Sequence, residues 1–147
     1  MKQRSYNPEE IVYTKAQLMF LIFHLRELEA GCWPGIENDI VMPSGDIIRG
    51  NQGTFKSRIL YVWNPDALKV AREVNTRLQM CGRDGAIVKM RFADHLSVQE
   101  VCDITKLERR TVFYCTHHCL KYMEGGYRPK SPYRPWQECK VRVSAAS

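Results

Sequence analysis

The stretch from Ser97 to Met123, SVQEVCDITKLERRTVFYCTHHCLKYM, limits the fold more tightly than any other part of the chain. Ser97-Val98-Gln99-Glu100 has the spacing of a capping box. In that box the hydroxyl and the carboxylate each accept from the other's unpaired backbone N–H, which starts a helix. Val98, Val101 and Ile104 recur every third residue and predict one inner face. Lys106-Leu107 is a tight break. From Glu108 or Arg109 a longer helix follows, with Val112, Cys115, Cys119, Leu120 and Met123 facing inward. Two short helices joined by a tight turn, with the apolar Leu107 in the turn, predict a helix-turn-helix.

Other helices are marked by their ends. Thr14 and Gln17 have capping-box spacing, and Gly31 is a natural stop. Asn7-Pro8-Glu9-Glu10 offers an earlier start. Leu18, Leu21, Leu25 and Leu28 form a stripe, and Met19, Phe20, Ile22 and Phe23 make the other sides apolar too. Such a helix is central to a core or forms a dimer seam; under two heptads of pattern favours the core. Asn64-Pro65-Asp66 opens another helix, with Leu68, Ala71, Val74 and Leu78 as its apolar face and Gly82 as its end. Lys69, Arg72 and Arg77 point largely to its other faces. Ala86, Ile87, Val88, Met90 and Phe92 belong to a short helix before Ser97. Ile40-Val41-Met42 and Asp46-Ile47-Ile48 flank Pro43-Ser44-Gly45, which allows a small hairpin. The expected fold is mainly α: a helical bundle with a C-terminal helix-turn-helix and a small β-hairpin in the N-terminal half. Three segments are expected: residues 1–63, residues 64–125 with the helix-turn-helix, and a basic Pro/aromatic tail, 126–147.

The chain has 147 residues, 44% hydrophobic and 26% charged, which suits one folded domain and argues against wholesale disorder. Lys and Arg number 22 against 16 Asp and Glu, a net charge of +6. Residues 1–50 carry −2, residues 51–96 carry +4 and residues 97–147 carry +4, so the positive charge lies in the last two-thirds. That excess suits a nucleic acid or another anionic surface. Met1 to Glu10 is polar rather than an apolar secretory leader, and Ala16 to Leu25 is too short to span a bilayer. The six cysteines form no CxxC pair. The expectation is a cytoplasmic protein with reduced thiols and no membrane partner.

Neither enzyme chemistry nor a cofactor is expected. Gly53-Thr54-Phe55-Lys56-Ser57 lacks the Gly-Lys-Ser/Thr order of a phosphate loop. His24, His95, His117 and His118 qualify as catalytic bases only by residue type, and the Glu9/Glu10 and Glu27/Glu29 pairs read as helix start and helix surface. Cys115, His118 and Cys119 have helical spacing that can place two zinc ligands on one face. Cys115 and Cys119 fall on the inner face, however, where a thiol behaves as a small hydrophobe, so no metal is expected.

A recognition helix presents its first turns to base edges in the major groove. Arg109 and Arg110 lie there, and arginine is the commonest bidentate reader of guanine. Thr111 and Tyr114 can bond phosphate or touch a thymine methyl. Phe113 can touch a methyl or pack against another part of the chain. The stretch resembles the helix-turn-helix of region 4 of the primary bacterial sigma factors, and sigma-70-region-4-like regulators often encoded by phages. The register is gapless over the 27 residues Ser97 to Met123. Ser97 and Glu100 stand where the family has its capping pair. Val98, Val101, Ile104, Leu107, Val112 and Leu120 fall on its core positions. Two departures are Lys106, where the family usually has Gly in the turn, and Cys102, where it prefers a smaller residue. The resemblance implies that Arg109, Arg110, Phe113 and Tyr114 read bases, with His117 and Lys121 further along the helix on the backbone. It also implies contact with RNA polymerase and a bacterial or phage-infected cell.

The tail Tyr127-Arg128-Pro129-Lys130-Ser131-Pro132-Tyr133-Arg134-Pro135-Trp136 repeats Tyr-Arg-Pro six residues apart. Its prolines favour an extended path. Arg128, Lys130 and Arg134 can follow phosphates, and Tyr127, Tyr133 and Trp136 can pin the tail to the core. The leading functional expectation is a sequence-specific duplex DNA-binding transcription regulator. A lone helix-turn-helix binds modestly, so a homodimer or tethering to RNA polymerase is expected. Two alternatives stand beside it. One is an RNA polymerase-binding interaction protein of the phage antitermination kind, with weak DNA readout, working through the first helix and residues 31–57. The other is a single-strand RNA binder that stacks bases on Tyr127, Tyr133 and Trp136.

Overall fold

The computed structural model describes residues 13–34, 39–48, 67–124 and 132–136. These residues are mainly helical, with one two-stranded antiparallel sheet. Helix α1 (Lys15–Phe23) begins with the expected box: Gln17 N–H donates to Thr14 Oγ1 at 3.2 Å, and Thr14 N–H to Gln17 Oε1 at 3.0 Å. The chain breaks at His24 and resumes as α2 (Leu25–Glu29), ending before Gly31 at φ +88°. One continuous helix was expected. The difference has a tertiary cause: the Phe23 carbonyl accepts from His95 Nε2 at 3.2 Å, and the Phe23 ring stacks on the His95 ring at 4.2 Å. Leu18, Leu21, Leu25 and Leu28 are fully buried, and so is the whole run from Leu18 to Ile22. Each such side chain contributes about 1.5–3 kcal/mol on burial. This helix is therefore a core helix covered by its own chain.

Strands β1 (Ile40–Val41) and β2 (Ile47–Ile48) form the small hairpin, pairing Ile40 with Ile48 and Val41 with Ile47. Gly45 turns it at φ +95°, a conformation that a side chain would resist. The start of the next helix at residues 64–66 lies outside the described residues. That helix, α3 (Ala67–Met80), buries Ala71, Val74 and Leu78 as expected. Leu68, however, is 46% exposed, and Ala67 and Val70 take the inner face. Arg77 is also not a surface cation. It is buried, pairs with the buried Glu73, donates through Nη1 to the Met123 carbonyl at 3.1 Å and lies 4.7 Å from the Tyr13 ring centroid.

Helix α4 (Gly82–Val88) follows without a loop and continues into a π-helical turn, Lys89–Ala93. There the Asp94 N–H reaches back five residues to the Lys89 carbonyl at 3.0 Å. The extra residue rotates Arg91 and Phe92 into the interior. Gly85 lets α4 approach α3: a Cβ there would sit 1.9 Å from the Leu78 carbonyl oxygen.

Helices α5 (Val98–Thr105) and α6 (Arg109–Met123) form the helix-turn-helix. The Ser97–Glu100 box is closed in both directions, at 3.0 and 2.8 Å. Lys106 takes the left-handed conformation, φ +63° and ψ +28°, that glycine more often supplies at a helix end. Val98 and Val101 face inward, but Ile104 is 60% exposed rather than on the inner face. Val112, Cys115, Cys119, Leu120 and Met123 are all buried, as their spacing predicts.

Two apolar clusters result. The larger joins α1, α2, Ile48, α3 and the end of α6, and so draws on residues either side of position 63. The smaller holds Ile87, Val98, Val101, Val112 and Cys115, with Leu107, Phe113 and Trp136 packed against it. That second cluster gives the helix-turn-helix its own interior. Among the described residues, no helix is long and apolar enough to cross a membrane.

Candidate nucleic-acid interface

Positions 110, 114, 117 and 121 are spaced four, three and four residues apart, so they share one face of α6. Arg110, Tyr114, His117 and Lys121 are all exposed there, opposite the buried face. Arg109, at the first turn, is exposed as well, and Thr111 is half-buried beside the stripe. The N-terminal end is built unlike that of α5. Its first turn holds no acidic residue, and the Glu108 side chain makes no capping hydrogen bond. Two arginines thus sit at the positive end of the helix dipole, where cations cost roughly 0.3–1 kcal/mol each. Departures of this kind from local preference are typical of functional sites.

Phe113 does not join this face. It is half-buried against the smaller core, with the Arg91 guanidinium 4.9 Å and the Arg109 guanidinium 5.9 Å from its ring centroid. Of its two expected roles, the structure gives the ring to packing. Arg91 was not foreseen. It is 2% exposed, donating to Thr116 Oγ1 at 3.0 Å and to Asp46 Oδ2 at 2.7 Å, and so ties α6 to the hairpin turn. Burial lowers its pKa, and the Asp46 carboxylate opposes that shift. No pattern around Arg91 marks it as buried; only the π-helical turn does that.

Residues 132–136 of the tail run alongside α6. Tyr133 Oη donates to Asp84 Oδ2 at 2.5 Å, and the Trp136 N–H donates to the same oxygen at 3.0 Å. Arg83 bonds the other Asp84 oxygen and donates to the Trp136 carbonyl at 3.0 Å. His118 Nε2 donates to the Arg134 carbonyl at 2.7 Å. The Tyr133 ring meets Tyr122 edge-on at 5.0 Å, and Trp136 packs on Tyr114 at 5.1 Å. The aromatics therefore pin this part of the tail, while the Arg134 side chain is exposed. Tyr127, Arg128 and Lys130 lie outside the described residues.

Asp84 is fully buried, yet its carboxyl lies below the ordinary carboxylate range. Burial pushes it up, but the Tyr133, Trp136 and Arg83 donors outweigh that effect. The same contact, after burial, pushes the Tyr133 hydroxyl up. Burial and the neighbouring Asp84 push the Cys115 thiol up to about 12. Contact with Cys81, then burial, pushes the Cys119 thiol up further. These thiols are protonated, interior groups, and His118 has spent its Nε2 proton on a carbonyl. Among the described residues, no group of three or more His, Cys, Asp or Glu side chains is placed to hold a metal.

A second feature lies next to the stripe. Lys15 of α1 approaches α6, with its Nζ 3.5 Å from His117 Nδ1. An ammonium can only donate, so His117 accepts through Nδ1 and carries its proton on Nε2. Lys15, Tyr114, His117, His118, Lys121, Glu124 and Trp136 line an open pocket of about 350 Å³. Lys15 carried no signal in the sequence beyond following the cap of α1.

No known protein family, no curated protein and no solved structure matches the chain.

Proposed function

We propose that this chain binds duplex DNA through α6 and acts as a transcription regulator. The observation that carries the reading is the exposed stripe Arg110, Tyr114, His117 and Lys121 on the second helix of a helix-turn-helix. In this reading Arg109 and Arg110 enter the major groove first and read base edges, and Tyr114 adds a contact one turn later. His117, Lys121 and Arg134 contact the sugar-phosphate wall, and Thr111 serves the same wall nearer the start of the helix. Phe113 holds α6 on the smaller core and does not touch DNA. Contact with RNA polymerase, and with it the phage-type setting, rests on the sigma region 4 resemblance alone.

The test is selection of a random duplex library by the purified protein, followed by anisotropy titration of the enriched sequence. The expected result is a defined motif. Arg109→Ala and Arg110→Ala should each weaken it by about 1–3 kcal/mol, or roughly 5- to 150-fold. Binding without enrichment, unchanged in both variants, would rule the reading out.

The competing interaction-protein reading keeps one observation. Val41 and Ile47, paired across the hairpin, are 68% and 40% exposed. Its other expected surface, the first helix, is buried. Polymerase capture that survives Arg109→Ala/Arg110→Ala and fails in Val41→Ser/Ile47→Ser would favour it.

A further inference from the structure

We infer that the pocket between α1 and α6 seats one backbone phosphate of the bound duplex, and that Lys15 supplies charge to it from outside the helix-turn-helix. The inference rests on the duplex reading above and extends it to a residue about 80 positions before the motif.

The first argument is charge. Lys15, His117, His118 and Lys121 converge on the pocket, against one carboxylate, Glu124. Among the described residues, neither Lys15 nor Lys121 makes an ion pair. Lys15 is instead held against an imidazole nitrogen. His118 is already spent on the Arg134 carbonyl, so the available donors are Lys15 Nζ, Lys121 Nζ and the Nε2–H of His117. Two lysines outside any ion pair among the described residues, beside an aromatic floor of Tyr114 and Trp136, match a phosphodiester and not a cation.

The second argument is length. Helix α6 has 15 residues, so it is about 22 Å long, and Lys121 stands about 16 Å beyond Arg110. The major groove is about 8.5 Å deep and about 12 Å wide. A helix that enters by its first turn therefore reaches the level of the phosphates by its third. That is where α1 brings Lys15 against His117. The cation is well placed for the backbone and poorly placed for a base edge.

The test is a salt titration of duplex binding for wild type, Lys15→Gln, Lys121→Gln and the double variant, with Lys106→Gln as a control cation off the stripe. Removing one phosphate contact lowers the slope of log K against log salt by about 0.9, equivalent to about fivefold in affinity at 0.15 M salt. Lys15→Gln and Lys121→Gln are each expected to show part of that loss. The double variant should show the whole of it and no more, because both serve one phosphate. Glu124→Gln should tighten binding, and Lys106→Gln should leave the slope unchanged. A wild-type slope retained in Lys15→Gln overturns the inference, whether or not Lys121→Gln changes, and leaves the duplex reading standing. Absence of salt-dependent duplex binding in wild type overturns both.

Discussion

Arg91 Nη2 lies 2.7 Å from Asp46 Oδ2, joining the π-helical turn to the tip of a hairpin 45 residues earlier. The guanidinium is buried between the Phe92 and Phe113 rings, each centroid 4.9 Å away, and its other end is taken by Thr116. Removing the carboxylate strands a cation in the interior, which in a closed site costs about 3–5 kcal/mol. Asp46 is partly exposed, so a loss of about 2–3 kcal/mol is expected for Asp46→Ala in urea unfolding. Asp46→Ala/Arg91→Met should lose less than the sum of the two single changes. Strict additivity would mean that the pair does not couple.

Asp84 predicts an acid-sensitive strap. Its folded carboxyl titrates below its unfolded value of about 3.9. A depressed carboxyl stabilises the fold above that value, and the contribution fades as pH falls from about 4 through the folded value. Wild type should lose stability steeply below about pH 4, with the contacts of Tyr133 and Trp136 going first. Asp84→Asn should be less stable at pH 7 and flatter in acid. Unfolding midpoints from pH 7 to 3 check both, and parallel curves for the two proteins would count against this role.

Gly85 should tolerate no side chain. The atom that a Cβ would strike is the Leu78 backbone oxygen, which cannot rotate away. Gly85→Ala therefore has to separate α3 from α4, at a cost of about 3 kcal/mol. A fall of about 10 °C in Tm is expected. A Tm within a degree or two of wild type would show that the two helices pack less tightly than described.

Lys106 offers the opposite result. Its φ of +63° costs a non-glycine residue about 1 kcal/mol. Lys106→Gly should recover part of this, about 0.5 kcal/mol after the added freedom of the unfolded chain. Duplex affinity should not change, since Lys106 lies in the turn and not on the α6 stripe. A destabilised variant would mean that the lysine side chain makes a compensating contact.

Local spacing by itself determined both capping boxes, the hairpin turn, the helix-turn-helix and the inward face of α6, because each depends on residues within a few positions of one another. It also located the exposed cationic turn at Arg109 and Arg110. It misjudged Leu68, Ile104 and Arg77, and it left Phe113 open between base contact and packing. A helical period names a face, but which edge of that face is covered depends on the neighbour that arrives. Ile104 keeps the period and is still exposed, and Arg77 and Phe113 are drawn inward by partners on other elements. The break at His24 was hidden for the same reason, since its cause is His95. Only the tertiary structure decided which charges could be buried. Arg91 and Asp84 pay for desolvation through Asp46, Tyr133 and Trp136, acceptors and donors 45 to 52 residues away in the chain. The approach of Lys15 to His117 spans 102 positions. No local pattern encodes such meetings; they exist only once the helices are packed.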